Sequence, residues 1–213
     1  MDVDPDETLL FHITALANLP SIVAANGLHC LASMTKKGTR HSSIAFETVQ
    51  TRRARTRVTC SPGGYLHDYV PFYFAPRSPM LYAIHKGLVS CENGQDGLAC
   101  IVSSAGIVDE AGLNYAFTDG HGIMAPLTNF YEDLSDLDKI DWDVMKAHYW
   151  RDTADDPDRK RRRQAEFLIH EFFPMECVIG IAVNKVSTVA KVRNLLGQLA
   201  ESIQVKAKSG YFY

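Results

Sequence analysis

Apolar residues along the chain alternate or cluster in short runs and nowhere repeat over long helical stretches, so the pattern predicts many short elements of mixed type. Runs at 8–13, 98–103, 115–118, 177–183 and 202–206 read as strands. Helices are predicted between them. One opens on Leu19-Pro20-Ser21-Ile22 and closes at Gly27, because proline suits the first helical turn and glycine the position past the last. A second spans 42–53 with Ser42 or Ser43 as its cap. A third follows Ser78-Pro79 over 80–86 and stops at Gly87. Further helices are expected at 104–111, 141–149 and 187–200. The stretch 68–74 is aromatic and β-prone, but Pro71 has no amide hydrogen, so this strand is expected at an edge or with a bulge. The stretch 164–171 fits a strand and a helix alike; its brevity and Pro174 favour the strand. With no repeat, low-complexity tract or linker, the expectation is a single mixed α+β domain over 1–213.

Composition narrows this picture. A chain of 213 residues that is 46% hydrophobic can bury a continuous core without staples. The five cysteines (Cys30, Cys60, Cys91, Cys100, Cys177) are odd in number, scattered and lack a C-x-x-C spacing, which fits neither a disulfide framework nor a zinc cage; reduced thiols and no metal are expected. The acidic amino terminus lacks the order of a signal peptide and no apolar run reaches bilayer length, so a soluble, cytoplasmic, monomeric protein off the membrane is expected. The net charge of −3 hides strong segregation. Between 35 and 57 lie Lys36, Lys37, Arg40, Arg52, Arg53, Arg55 and Arg57 against Glu47 alone, residues 159–163 are all basic, and the compensating acids crowd 132–158. Two basic islands on an acidic chain can hold a phosphate backbone locally, although charge alone favours reading them as solvated surface runs.

The familiar signatures of phosphoryl transfer, dinucleotide hydride transfer, zinc hydrolysis and serine hydrolysis are missing from the sequence. What remains are polar residues at strand ends. In His12-Ile13-Thr14 the period of two puts His12 and Thr14 on one face, where both can meet a polar ligand while Ile13 packs inward. The same period puts Gln164 and Glu166 on one face, although a carboxylate after the run 159–163 is equally a surface ion-pair partner. Arg53 ends a helix, where the dipole alone favours arginine. The run 66–82 is aromatic and proline-punctuated; most of it should be core and turn, with a surplus able to stack on a planar ring.

Together, His12-Ile13-Thr14, Ser43-Ile44-Ala45, Gln50-Thr51-Arg52-Arg53, Pro62-Gly63-Gly64, the run 66–82, Phe117-Thr118-Asp119 with His121-Gly122, Tyr149-Trp150 and Gln164-Ala165-Glu166-Phe167-Leu168 resemble the DarT family of DNA ADP-ribosyltransferases, the toxin halves of DarT–DarG toxin–antitoxin pairs. The resemblance covers nearly the whole chain. It implies an ADP-ribosyltransferase fold, two packed and mostly antiparallel sheets with an NAD cleft and flanking helices. It implies transfer of ADP-ribose from NAD to a thymidine base in single-stranded DNA with release of nicotinamide, and a DarG-like macrodomain antitoxin as partner. By the same resemblance Glu166 is the catalytic carboxylate, Arg53 serves both NAD contact and base activation, and His12, Ile13, Thr14 and Ser21 contact NAD. A carboxylate near the NAD ribose stabilises the positive charge that builds there as the glycosidic bond breaks. Arg53 is the family's proposed proton acceptor; a guanidinium stays protonated at ordinary pH, so the physical reading gives it the pyrophosphate and the imide anion, with the proton leaving by water or Glu166. His121, read as part of a turn at 119–122, and the pair Tyr149-Trp150 are expected to orient or stack the target base, with Lys160, Arg161, Arg162 and Arg163 meeting phosphates. The residues themselves leave open a transferase acting on guanine, RNA or protein, and a non-catalytic nucleic-acid-binding module.

Overall fold

The computed structural model describes residues 3–213. Ten strands run in chain order as β1 (Leu9–Ala15), β2 (Gly27–His29), β3 (Tyr69–Tyr73), β4 (Leu98–Ser104), β5 (Tyr115–His121), β6 (Phe130–Tyr131), β7 (Ala165–His170), β8 (Phe172–Pro174), β9 (Gly180–Val183) and β10 (Gln204–Ala207). The helices between them are α1 (Leu19–Ala24), α2 (Leu31–Lys37), α3 (Glu47–Arg53), α4 (Pro79–His85), α5 (Ala105–Glu110), α6 (Trp142–Lys146), α7 (Arg159–Arg162) and α8 (Val186–Leu196). The mixed α+β class is as predicted, and the two sheets are unequal. One has eight strands in the order β10-β9-β4-β1-β3-β7-β5-β6; the other is the hairpin-like pair β2-β8. All pairings are antiparallel except β10 with β9.

The large sheet has a seam. β1 pairs with β4 along its whole length and β3 pairs with β7 along its whole length, yet β1 and β3 meet in register only at Phe11↔Tyr73. Pro71 brings no amide hydrogen to β3, and its carbonyl instead accepts a hydrogen bond from the Nδ1–H of His12 at 2.8 Å. The sheet is therefore two four-stranded halves joined at one point. The edge of β1 from His12 onward opens toward β3. This corrects the expectation for Pro71: β3 lies inside the sheet, and the cost of the proline falls on the β1 ladder.

Both faces of β1 are buried, which is why its sequence shows no clean alternation. Leu10 faces a core built with Ile22 of α1, Val192 and Leu196 of α8, Phe72 and Phe167. Phe11, Ile13 and Ala15 face a second core with Leu81 and Ile84 of α4 and with Phe212. The small sheet packs on the first face: Phe173 sets its ring edge-on to Phe72, centroids 4.8 Å apart. Gly27 permits this approach, since a Cβ there would stand 2.4 Å from the Phe172 ring and from the Phe173 carbonyl.

Local signals account for several boundaries. Ser78 caps α4, its hydroxyl accepting from Leu81 N, and Pro79 follows at the first helical position. Asp141 caps α6 in the same way. Other boundaries differ from expectation. Asn26, at φ 52°, takes the left-handed position after α1, and Gly27 already belongs to β2. α3 starts at Glu47, because residues 42 and 18 are tied together: Asn18 accepts from the Ser42 amide and donates to its carbonyl, holding the stretch before the helix extended. β9 starts at Gly180 after a turn of 3-10 helix over Met175–Cys177, and α6 stops at Lys146.

Candidate active site

β7 is a strand with Glu166 as its second residue, in register with Tyr73 of β3. Its carboxylate is 1% exposed, which rules out a surface ion pair. A buried carboxylate survives as an anion only when its oxygens are paired. Here Oε2 accepts from Arg53 Nη1 at 2.6 Å, while Oε1 accepts from His121 Nδ1 at 3.3 Å and from Gly122 N at 3.4 Å. Burial works to raise the pKa of Glu166, but the Arg53 charge and the His121 contact prevail and hold the carboxyl down at about 2.

A bulge positions His121. The β5–β7 ladder shifts register between Phe117 and His121, so that Phe117 opposes Phe167 whereas His121 opposes Ala165. Thr118 fills the gap: its hydroxyl accepts from the Glu166 amide at 3.0 Å and donates to the Gly120 carbonyl at 2.7 Å. The backbone group that the bulge would leave unpaired is thereby satisfied. Gly120 leaves room for the Arg161 guanidinium, since a Cβ would stand 2.1 Å from Arg161 Nη1. His121 was read as part of a turn; it is the last residue of β5, aimed by the bulge at Glu166.

Arg53, in the last turn of α3, is 7% exposed, whereas a helix-dipole arginine would be solvated. Its Nη2 is buried without a hydrogen-bond partner, alone in this among the side-chain polar atoms of the described residues. Such an atom marks a place where a further acceptor belongs. Next to Arg53, His67 donates through Nε2 to Gln50 Oε1 at 3.0 Å, and burial followed by the Arg53 charge pushes its pKa down. Tyr73 adjoins the cluster, its phenol pushed up by burial and then by Glu166. Thr118, Gly122, His67 and Tyr73 all fall in the motifs quoted above, but no local signal gave any of them a task.

The cluster borders a cleft of ≈ 1550 Å³ whose walls include Tyr73, Tyr82, His121, Tyr149, Trp150, Lys160 and Arg161. Of the run 66–82, only Tyr73, Pro79, Met80 and Tyr82 reach it; Tyr69, Val70, Phe72, Phe74 and Leu81 are core. Tyr149 is 78% exposed. Trp150 is fixed in place, its Nε1–H donating to the Tyr213 hydroxyl at 3.0 Å and its ring edge-on to Tyr82.

The basic run behaves differently from expectation. Arg163 is buried and donates to the carbonyls of Arg77, Val144 and Met145. Arg162 is held by Asp141 and Asp156. Arg161 is held by Asp158 and Asp119. Acids of 132–158 together with Asp119 thus neutralise most of the run internally, and Lys160, exposed and outside every ion pair among the described residues, is the cation of the run left facing the cleft. Each guanidinium nitrogen of Arg163 is already committed to a backbone carbonyl.

The NAD-contact candidates lie elsewhere in the sheet. His12 and Thr14 share a face with Leu10, while Phe11, Tyr73 and Glu166 follow one another in register on the opposite face. His12 borders the seam, its pKa pushed down by burial. Thr14 accepts from Asn18 at 3.1 Å, and Ile13 is in the core. Ser21 is exposed on α1, its hydroxyl donating to the Asn18 carbonyl. No hydrogen bond joins any of these four to Arg53 or Glu166. Among the described residues no group of three or more His, Cys, Asp and Glu side chains can hold a metal, and no helix is long and apolar enough to cross a membrane.

A family model described as ssDNA thymidine ADP-ribosyltransferase, DarT, matches residues 11–213. The chain belongs to the DarT family. A DNA ADP-ribosyl transferase of Thermus sp. (strain 2.9) is 40% identical over 198 residues, covering 93% of this chain and 91% of that protein. A DNA ADP-ribosyl transferase of Escherichia coli O127:H6 is 33% identical over 212 residues, covering 99% and 96%. The solved structure of Thermus sp. 2.9 DarT in complex with ADP-ribosylated ssDNA superposes with a TM-score of 0.90 at 37% identity over the whole of both chains. The same protein in complex with NAD+ gives 0.87 at 35% identity, again over both chains in full. Arg53, His121 and Glu166, which lie far apart in the sequence, are the residues that the fold brings into one cluster.

Proposed function

We propose that the chain transfers ADP-ribose from NAD to the base of a thymidine in single-stranded DNA, releasing nicotinamide. The observation that carries this is the buried Glu166 anion, clamped between Arg53 and His121 at the edge of the cleft, with Arg53 Nη2 uncommitted beside it. Family membership supplies the reaction class and the donor, NAD; the wording of the family model and the DNA-bound Thermus relative support thymidine and a single strand.

The geometry suits a reaction whose transition state carries positive charge on the NAD ribose. A carboxylate already ionised and already oriented stabilises that charge without reorganisation. Glu166 keeps lone pairs to offer even with Arg53, His121 and Gly122 engaged, since a carboxylate has about four acceptor positions. Arg53 remains a guanidinium throughout; Nη2 is placed to take a pyrophosphate oxygen or an imide oxygen that gains charge as the base loses its proton. Tyr149 and Trp150 offer ring faces to bases, Lys160 offers its ammonium to a phosphate, and His12, Ile13, Thr14 and Ser21 are assigned to NAD. The fold match to Thermosipho africanus DarTG, at 22% identity and a TM-score of 0.79, fits a toxin role opposed by a DarG-like macrodomain antitoxin.

The test is incubation with NAD and single-stranded oligonucleotides of varied base content, followed by mass measurement. The expected result is one ADP-ribose on thymidine-containing oligomers, none on oligomers without thymidine, and none with Glu166→Ala. An adduct on guanine-only oligomers, on RNA or on protein would replace this reading.

A further inference from the structure

We propose that His121 is the general base of the reaction, taking the N3 proton of the target thymine at Nε2 while its Nδ1–H is tethered to Glu166. The inference rests on the thymidine reading above. A thymine imide attacks well only after losing that proton, so some group in the cleft must receive it.

The surroundings of His121 make the assignment. Glu166, ionised and buried, can only accept at Oε1, so the proton on the His121 ring must sit on Nδ1. Neutral imidazole then carries its lone pair on Nε2, on the side of the ring away from the carboxylate. No hydrogen bond engages Nε2 among the described residues, and the ring lines the cleft. A carboxylate that fixes one nitrogen and leaves the other basic and open is the arrangement by which an imidazole is oriented to abstract a proton.

The charged and titratable neighbours narrow the choice. They are Glu166 on β7, Tyr73 on β3, Asp119 on β5, Arg53 on α3, Arg159, Lys160 and Arg161 on α7, and Arg151, Asp152, Asp158 and His148 in the lining of the cleft. Asp119 and Asp158 are paired with Arg161, and Asp152 accepts from the Lys160 amide. Arg53, Arg161 and Lys160 are cations with no lone pair to offer. Glu166 is a weak base, held as an anion by Arg53 and His121. The Tyr73 phenol is held in its neutral form. His148 is exposed and touches only the edge of Tyr149, with nothing to orient it.

The step balances. The N3–H bond breaks and the proton bonds to His121 Nε2; the N3 electron pair forms the bond to the ribose C1 as the C1–nicotinamide bond breaks and its pair returns to the pyridine ring. Nicotinamide leaves neutral, and the imidazolium, stabilised by Glu166, returns its proton to water. Arg53 Nη2, on the other side of Glu166, is free to neutralise the imide oxygen.

The experiment compares wild type, His121→Asn and His121→Ala in single-turnover transfer to a thymidine oligonucleotide. Asparagine keeps an N–H toward Glu166 and removes the basic nitrogen. Expected are a rate loss of about 10²- to 10⁴-fold in both variants, a wild-type rate that falls on acidification, and variant rates that instead climb through alkaline pH as the imide ionises unaided. Imidazole added to His121→Ala restores rate in proportion to its free-base form. Replacing thymidine with 5-fluorodeoxyuridine, whose imide is more acidic, shrinks the His121→Asn defect at least tenfold. Retention of the NAD-induced rise in melting temperature shows that the variants fold. The proposal is overturned if His121→Asn matches wild type, or if it is slowed equally at every pH and on both bases with no imidazole rescue, as a positioning residue would be. If wild type itself modifies no thymidine, the functional reading falls and this inference with it.

Discussion

Arg53 and Arg163 are both buried, both come from basic runs, and both looked like surface charge. Their environments differ in one respect. Arg163 meets no carboxylate; its guanidinium donates to the carbonyls of Arg77, Val144, Met145 and Ala147, tying α6 and the segment before α4 to the start of β7. Burial pushes its pKa down, and the partners that surround it are neutral carbonyls. Arg53 has one carboxylate partner and a buried nitrogen with none. Burial alone therefore does not mark a functional arginine. Counting nitrogens does: a guanidinium whose nitrogens are all engaged by the fold is finished, whereas one with a buried nitrogen that has no partner awaits a ligand.

The contrast can be broken most readily at Arg53. Arg53→Lys keeps a charge for Glu166 but not the planar fork, and transfer to thymidine oligonucleotides should fall about 10²- to 10³-fold with the melting temperature near that of wild type. Full activity in that variant would mean that the free nitrogen has no role. Arg163→Met should do the reverse. It leaves several carbonyls unpaired and should cost about 3 kcal/mol, lowering the melting temperature by roughly 6–12 °C for a domain of this size, while the rate per folded molecule below the transition stays close to wild type. A large rate loss without loss of stability would move Arg163 into the site. The smallest effect is expected at Lys160. Lys160→Ala should flatten the slope of log affinity for single-stranded DNA against log salt by about 0.7, and Arg162→Ala, whose side chain is held by Asp141 and Asp156, should leave it unchanged.

Elements governed by neighbours in sequence were legible. Ser78-Pro79 gave the start of α4, the apolar runs gave β1, β4 and β7, and the period of two put His12 and Thr14 on one face. What depends on partners far along the chain was not. Arg53 and Glu166 are 113 residues apart, and only the packed sheet shows that they touch. The register shift in β5 needs β7 to define it, so residues 119–122 read as a turn when the strand in fact runs through to His121. The phosphate assignment for 161–163 failed for the same reason: the acids that neutralise Arg161 and Arg162 were visible in the sequence, but nothing in it said that they would fold back onto the run. The DarT resemblance supplied what local reading could not, because it carries information about spatial proximity in a pattern of distant motifs.

The seam at Phe11↔Tyr73 bears on how far this molecule can be divided. Geometrically the large sheet is two plates, β10-β9-β4-β1 and β3-β7-β5-β6. Along the chain, however, they are interleaved: the polypeptide crosses the seam from β1 to β3, from β3 to β4, from β4 to β5 and from β7 to β9. No single cut leaves a whole plate on each fragment. Four covalent crossings keep each plate at high effective concentration to the other, so the single shared ladder position does not have to hold the plates together by itself.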